Sequence, residues 1–124
     1  RVYGNAGQMQ IKGDGDVENS NNRYSGISDR TLKENETPAN SQWNDIKALE
    51  IKNYNLKEFP NRKLLGVIAQ DLEASGMNGL VSTNDDGIKS VAYSVLYIKA
   101  VKALQEAIIK IEELETRIQT LENN

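Results

Sequence analysis

The plainest hydrophobic pattern lies in the last third of the chain. From about Tyr93 to Asn124, apolar residues return every three or four positions. No Gly or Pro interrupts them, and Ala, Leu, Ile, Glu, Lys and Gln dominate. This is the period and composition of one long helix, with Ser90 or Ser94 expected to cap its start. A heptad places Tyr97, Leu104, Ile111 and Ile118 at a, and Ala100, Ala107, Leu114 and Leu121 at d. In the first half Val101 and Ile108 fall at e and widen the apolar stripe, as expected of a helix packed on a globular body. In the second half e becomes Glu115 and Glu122, and g becomes Lys110 and Arg117. Pairing g with the next e of a parallel neighbour joins Lys110 to Glu115 and Arg117 to Glu122, both of opposite sign. The pattern predicts parallel self-association through Leu104, Ile111, Leu114, Ile118 and Leu121. Ile at a with Leu at d leans towards dimers, and Ala at two d positions leaves the stoichiometry open.

Upstream the pattern is shorter and more broken. Residues 1–27 are rich in Gly, Asn and Ser, with an alternating piece at Gln8-Met9-Gln10-Ile11-Lys12 that predicts edge strands and turns. Gly13-Asp14-Gly15-Asp16 reads as a solvated hairpin turn. The calcium reading of Asp14, Asp16 and Glu18 lacks the later bidentate Glu of an EF-hand. Residues 34–42 form a polar loop. Trp43 to Glu50 fits a short amphipathic helix, Ile51 to Leu56 alternates like a strand, and Leu64 to Ala69 is a compact apolar run expected to be a buried strand. Gln70 to Ala74 starts a helix that Gly76 stops. Leu80-Val81 and Ile88 to Val91 flank an Asp86-Gly87 pair, a hairpin signal. The fold class expected is α+β: a small globular body of short strands and helices, followed by a long C-terminal helix.

Composition narrows the chemistry more than the fold. A chain of 124 residues with 38% apolar residues makes one small domain with a helical extension, and a mean hydropathy of -0.61 puts much of it on a surface or in an assembly. Beginning at Arg1 and not Met, it is expected to be a segment of a longer protein. Its polar N-terminus does not read as a signal peptide, and no apolar run approaches membrane-spanning length. The net charge of -3 gives no electrostatic reason to expect nucleic acid or an anionic membrane as a partner. With no Cys and no His, the commonest nucleophile–base pairs and transition-metal ligands are missing, and no metal site is expected.

Covalent chemistry in such a chain points to a serine with a lysine base. Ser28-Asp29-Arg30-Thr31-Leu32-Lys33 supplies both. Read alone, the hexapeptide is most simply a helix cap, Ser capping and Asp favouring the first turn. A spacing of five puts the two side chains on opposite faces of a strand and well apart on a helix. A bend within Asp29 to Thr31, or a second subunit, must therefore bring them together. Leu32 and the run 64–69 are the expected source of burial for the lysine, since burial or a nearby cation favours its neutral form.

Taken in order, Ser28-Asp29-Arg30-Thr31-Leu32-Lys33, Gly66-Val67-Ile68-Ala69-Gln70-Asp71-Leu72, Val91-Ala92-Tyr93-Ser94-Val95-Leu96 and a heptad helix resemble the C-terminal intramolecular chaperone domain of phage tailspikes, tail fibres and neck appendages, including endosialidases; a related domain occurs in myelin regulatory factor. The resemblance covers residues 28–124. It departs from the family at Asp71, where Glu is usual, and at Ala92, where an acidic residue is common. It implies a domain that drives folding and homotrimerisation of the preceding fibre and then cuts itself off before the motif serine. The scissile bond would be Ile27-Ser28, with Ser28 as nucleophile, Lys33 as general base and Asp29 in support. Residues 1–27 would be the end of the fibre and 28–124 the released chaperone, with 93–124 its trimeric coiled-coil helix. Cleavage implied in this way needs no cofactor. ATP-dependent release enters only through neck-appendage relatives, and no G-x-x-x-x-G-K-[ST] loop is present. The implied partners are two further copies and the preceding fibre. The implied place is the host cytoplasm during virion assembly, the chaperone being absent from the mature particle. The competing reading is a trimerisation module without chemistry.

Overall fold

The structure, a computed structural model, describes residues 2–3 and 7–124; the rest of the Gly/Asn-rich start lies outside them. The chain divides into two compact units, Arg1–Thr37 and Pro38–Asn124.

In the first unit β1 (Val2–Tyr3), β2 (Gln8–Ile11) and β3 (Val17–Asn19) form an antiparallel meander in chain order. Met9 pairs with Asn19, Gln10 with Glu18 and Ile11 with Val17. The expected turn closes β2 onto β3. Lys12 N–H donates to the Asp16 carbonyl at 2.9 Å, Asp16 N–H donates to Asp14 Oδ1 at 3.0 Å, and Gly15 takes φ +95°, where a Cβ would be strained. Asp14 thus serves the turn. A short 3₁₀ turn at Arg30–Leu32 follows.

The second unit holds α1 (Trp43–Lys47), β4 (Lys52–Tyr54), β5 (Leu64–Gly66), α2 (Ala69–Ala74), a 3₁₀ turn at Asn78–Leu80, β6 (Val81–Thr83), β7 (Lys89–Val91) and α3 (Tyr93–Glu122). Its strands make two antiparallel ribbons, β4–β5 and β6–β7. Gly76 at φ +85° ends α2, and Gly87 at φ +79° turns β6 into β7, both as expected. The apolar core is small: Val67, Leu72, Met77, Leu80 and Leu96, ringed by Ile46, Leu49, Val81, Val91 and Tyr93. The architecture is α+β.

Several expectations change. The run 64–69 is not one buried strand: β5 stops at Gly66, Leu65 is exposed, only Val67 is fully buried, and α2 already begins at Ala69. Gly66 is the last residue of the strand, and two tyrosines close over it. A Cβ there would meet Tyr93 Oη at 2.8 Å and Tyr54 Oη at 3.1 Å. Tyr93 Oη accepts the Val67 N–H at 3.3 Å, so it cannot retreat without loss. Burial, with the Tyr93 hydroxyl beside it, raises the Tyr54 phenol above its ordinary pKa. Gly66→Ala is expected to destabilise the unit by about 1–3 kcal/mol, read as a lower urea midpoint at unchanged slope.

The start of α3 is capped by neither Ser90 nor Ser94. Ala92 holds the cap position without a side-chain bond, and its N–H is anchored to the Leu80 carbonyl at 2.9 Å. The body meets α3 through Leu96, and Ala103 is buried. Val101 and Ile108, the residues expected to face the body, are 52% and 45% exposed. The reason is α1, which packs on α3 beside Ala100, Ala103, Leu104 and Ala107 through Trp43 and Ile46. Two charged groups of α3 hold it there. Glu106 accepts from Ser41 Oγ at 2.6 Å and from Gln42 N–H at 2.7 Å. Lys99 donates to Gln42 Oε1 at 2.6 Å and to Asp45 at 2.9 Å.

The Ser41 hydroxyl and then the Gln42 amide hold the Glu106 carboxyl below its ordinary pKa. A depressed carboxylate stabilises the docked state above its unfolded pKa and loses that contribution as the pH falls through the folded value. Trp43, the only tryptophan, is expected to shift its emission to the red as the pH drops below the ordinary Glu range, and Glu106→Ala should show the shifted emission already at neutral pH.

Candidate functional site

The segment from Ile27 to Glu36 folds on itself. Asp29 is the N-cap of the 3₁₀ turn at Arg30–Leu32, and its Oδ1 accepts from Thr31 N–H at 2.9 Å and from Thr31 Oγ1 at 2.8 Å. Those two bonds, the backbone one first, hold the Asp29 carboxyl below its ordinary pKa. Leu32 N–H reaches the Asp29 carbonyl at 3.1 Å and Lys33 N–H the Arg30 carbonyl at 3.0 Å, closing the bend that the five-residue spacing demanded. The chain enters and leaves the turn extended, at Asp29 with ψ 129° and at Lys33 with ψ 153°. The two flanks therefore run back towards each other, and Lys33 Nζ donates to Ser28 Oγ at 2.5 Å.

The structure thus brings Ser28 and Lys33 together within one chain. It places Asp29 on Thr31 and so on the turn itself. The bond before Ser28 is open, with Ile27 87% exposed. Leu32, expected to shelter the lysine, is 75% exposed, and the run 64–69 sends Val67 into the core of the other unit. Every residue from 21 to 41 is exposed.

Two features were not read from the sequence. Arg30 pairs with Glu36 through Nε at 2.8 Å and Nη2 at 3.3 Å, a forked contact that closes the loop behind the lysine. Asn35, at φ 56°, turns the chain so that Glu36 can reach back. Asp two residues before Thr was the available signal for the capped turn, because an Asp side chain commonly bonds the backbone two residues on. The Arg30–Glu36 pair, six residues apart across an irregular turn, had no periodic signal.

The arrangement can move a proton along one line. As an ammonium, Lys33 donates to Ser28 Oγ; as a neutral amine, it would accept the hydroxyl proton along the same line and leave an alkoxide beside the Ile27 carbonyl. Among the described residues no cluster of acidic side chains is placed to hold a metal ion, and no helix is long and apolar enough to cross a membrane.

The five apolar residues expected at a self-association surface, Leu104, Ile111, Leu114, Ile118 and Leu121, are all exposed on α3. From Ile108 to the end every residue is exposed.

Residues 28–81 match a peptidase family described as the chaperone of endosialidase. The match opens on Ser28, runs through the Gly66 to Leu72 motif, and stops before α3, covering less than half of the chain. No curated protein matches the chain.

Proposed function

Starting from an endosialidase-type chaperone segment at residues 28–81, we propose that the chain is an intramolecular chaperone that assembles a homotrimeric phage fibre and then cuts itself free at Ile27-Ser28. The observation that carries this reading is the 2.5 Å contact between Ser28 Oγ and Lys33 Nζ, next to an exposed peptide bond at the first residue of the family match.

The chemistry balances without a cofactor. Neutral Lys33 takes the Ser28 hydroxyl proton, and Oγ attacks the Ile27 carbonyl carbon. The C–N bond of the peptide breaks, and Lys33 returns the proton to the departing Ser28 nitrogen. An ester now joins Ile27 to Ser28 Oγ. Water hydrolyses it to an Ile27 carboxylate and a free Ser28 hydroxyl, completing one turnover. Asp29 fixes the turn on which both groups sit.

Self-association through α3 gives the chaperone half of the role. Residues 108–122 form an exposed helix of about four turns, a length that is marginal alone in water, with an apolar stripe that wants a partner. A parallel trimer would hold three fibre ends in one register at high effective concentration. Long-range β pairing needs this because its loop-closure cost comes before its reward. Assembly in the host cytoplasm and loss of the clamp from the mature virion belong to the same reading.

The same exposed helix would also suit an inert trimerisation module. Intact mass of wild type beside Ser28→Ala separates the two: a product lacking residues 1–27 in wild type alone supports cleavage, and full-length chains in both support the inert clamp.

A further inference from the structure

Besides Val95, Ile98 and Ile109, which lie off it, the exposed apolar residues of α3 form one stripe that a single heptad does not contain. From Tyr97 through Val101, Leu104, Ile108 and Ile111 they advance in steps of four, three, four and three. From Ile111 through Leu114, Ile118 and Leu121 the steps are three, four and three. Two steps of three therefore meet at Ile111, between Ile108 and Leu114. The cause lies in the fold. α1 lies beside Ala100, Ala103, Leu104 and Ala107, the side that a simple heptad would use for its d positions, and Leu104 at the edge of that groove stays 58% exposed. The adjoining stripe of Tyr97, Val101, Leu104 and Ile108 is exposed in the first half, with only Leu104 of the four also lining the groove beside α1.

We infer that a second copy of this chain packs on α3 along a stepped seam, with Val101 and Ile108 in the core of the first half and Ile111 as the position where the register shifts. The inference rests on the self-association proposed above and refines where it happens. A step of this kind is a three-residue insertion in the heptad, which locally overwinds a left-handed supercoil. The occupant is argued from charge as well as from continuity of the stripe. Beyond Ile111, Lys110 faces Glu115 and Arg117 faces Glu122 of a parallel neighbour. Continued across it, the register of the first half puts Ala107 at g and Glu112 at e. A parallel neighbour's Glu112 then comes to the side of α3 where Lys47 borders the groove between α1 and α3. In the simple heptad Glu112 lies outside the e and g flanks and has no such partner.

The chain has no cysteine, so single cysteines report the seam on a clean background. Ile108→Cys, Val101→Cys and Ala107→Cys are to be oxidised under identical conditions in the full chain, beside light-scattering sizing of wild type and helical circular dichroism of each variant. The stepped seam expects the cysteines at 108 and 101 to cross-link between copies at least about tenfold faster than the one at 107, because core a positions of a parallel coil face one another and g positions do not. Using two core positions keeps the test informative if one variant folds poorly. Faster cross-linking at 107 in an oligomeric chain overturns the stepped seam while leaving self-association standing. A monomeric wild type without cross-links at any position overturns both, and the sizing measurement tells the two failures apart.

Discussion

Ser28→Ala is expected to abolish cleavage, leaving only the full-length mass where wild type yields two fragments. The alanine keeps the turn, because the cap is built by Asp29 and Thr31 and not by the serine. It removes the hydroxyl of the residue that follows Ile27, which lies 2.5 Å from the Lys33 amine. Lys33→Ala should fall to the same floor, a loss on the order of 10²–10⁴-fold or more, the usual contribution of a positioned base. Lys33→Arg is the more telling variant. It keeps the positive charge and much of the length, so a lysine that merely steadies the turn would be replaced with little loss. A guanidinium does not give up its proton in proteins, so a lysine acting as base would not be rescued. Cleavage near the wild-type rate in Lys33→Arg would remove the lysine from the mechanism, and cleavage in Ser28→Ala would remove the dyad altogether. Time-resolved intact mass on chains made by cell-free translation reads both.

The turn that makes this dyad was legible in part. The five-residue spacing required a bend, and an Asp two residues before a Thr is a local pattern whose bonds form within one turn of chain. The Asp86-Gly87 hairpin, the Gly76 stop and the long helix were legible for the same reason: each is set by neighbours a few residues apart. The docking of α1 was not. Its determinants, Lys99 and Glu106, sit seven residues apart on α3 and bond to Gln42, Asp45 and Ser41 more than fifty residues earlier. In the sequence both look like ordinary solvated charges of an amphipathic helix. Gly66 was similarly opaque. Its reason is the approach of two tyrosine hydroxyls from residues 54 and 93, which no local pattern announces. The heptad reading put Val101 and Ile108 against the body because periodicity fixes which residues share a face but not which neighbour covers it. The one fact that decides it, α1 lying beside the Ala side, is tertiary.

Replacing Leu114 and Ile118 together by Asp is expected to leave the chain monomeric and to slow cleavage by at least about 10²-fold, although both residues lie far along α3 from the dyad in sequence. Both belong to the seam in either register, and both are exposed in the single chain. Two Asp residues on a solvated helix face cost the monomer little. Buried in a seam shared by several chains, each would be an uncompensated charge, and the assembly would give way first. The link to cleavage follows from what a lysine base needs. Desolvation favours a neutral amine, and residues 21–41 of the single chain, Ser28 and Lys33 among them, are all exposed. Neighbouring chains packed around the turn would exclude that water, so the reaction would wait for assembly and the clamp would release only a fibre already in register. Wild type should accordingly be cut more slowly when diluted below its association range, while a preformed oligomer should be cut at a rate that no longer depends on concentration. Sedimentation velocity run beside intact-mass time courses reads both quantities. An Asp variant that is monomeric yet cut at the wild-type rate would show the dyad to be complete in one chain, and the coupling of cutting to assembly would have to be given up.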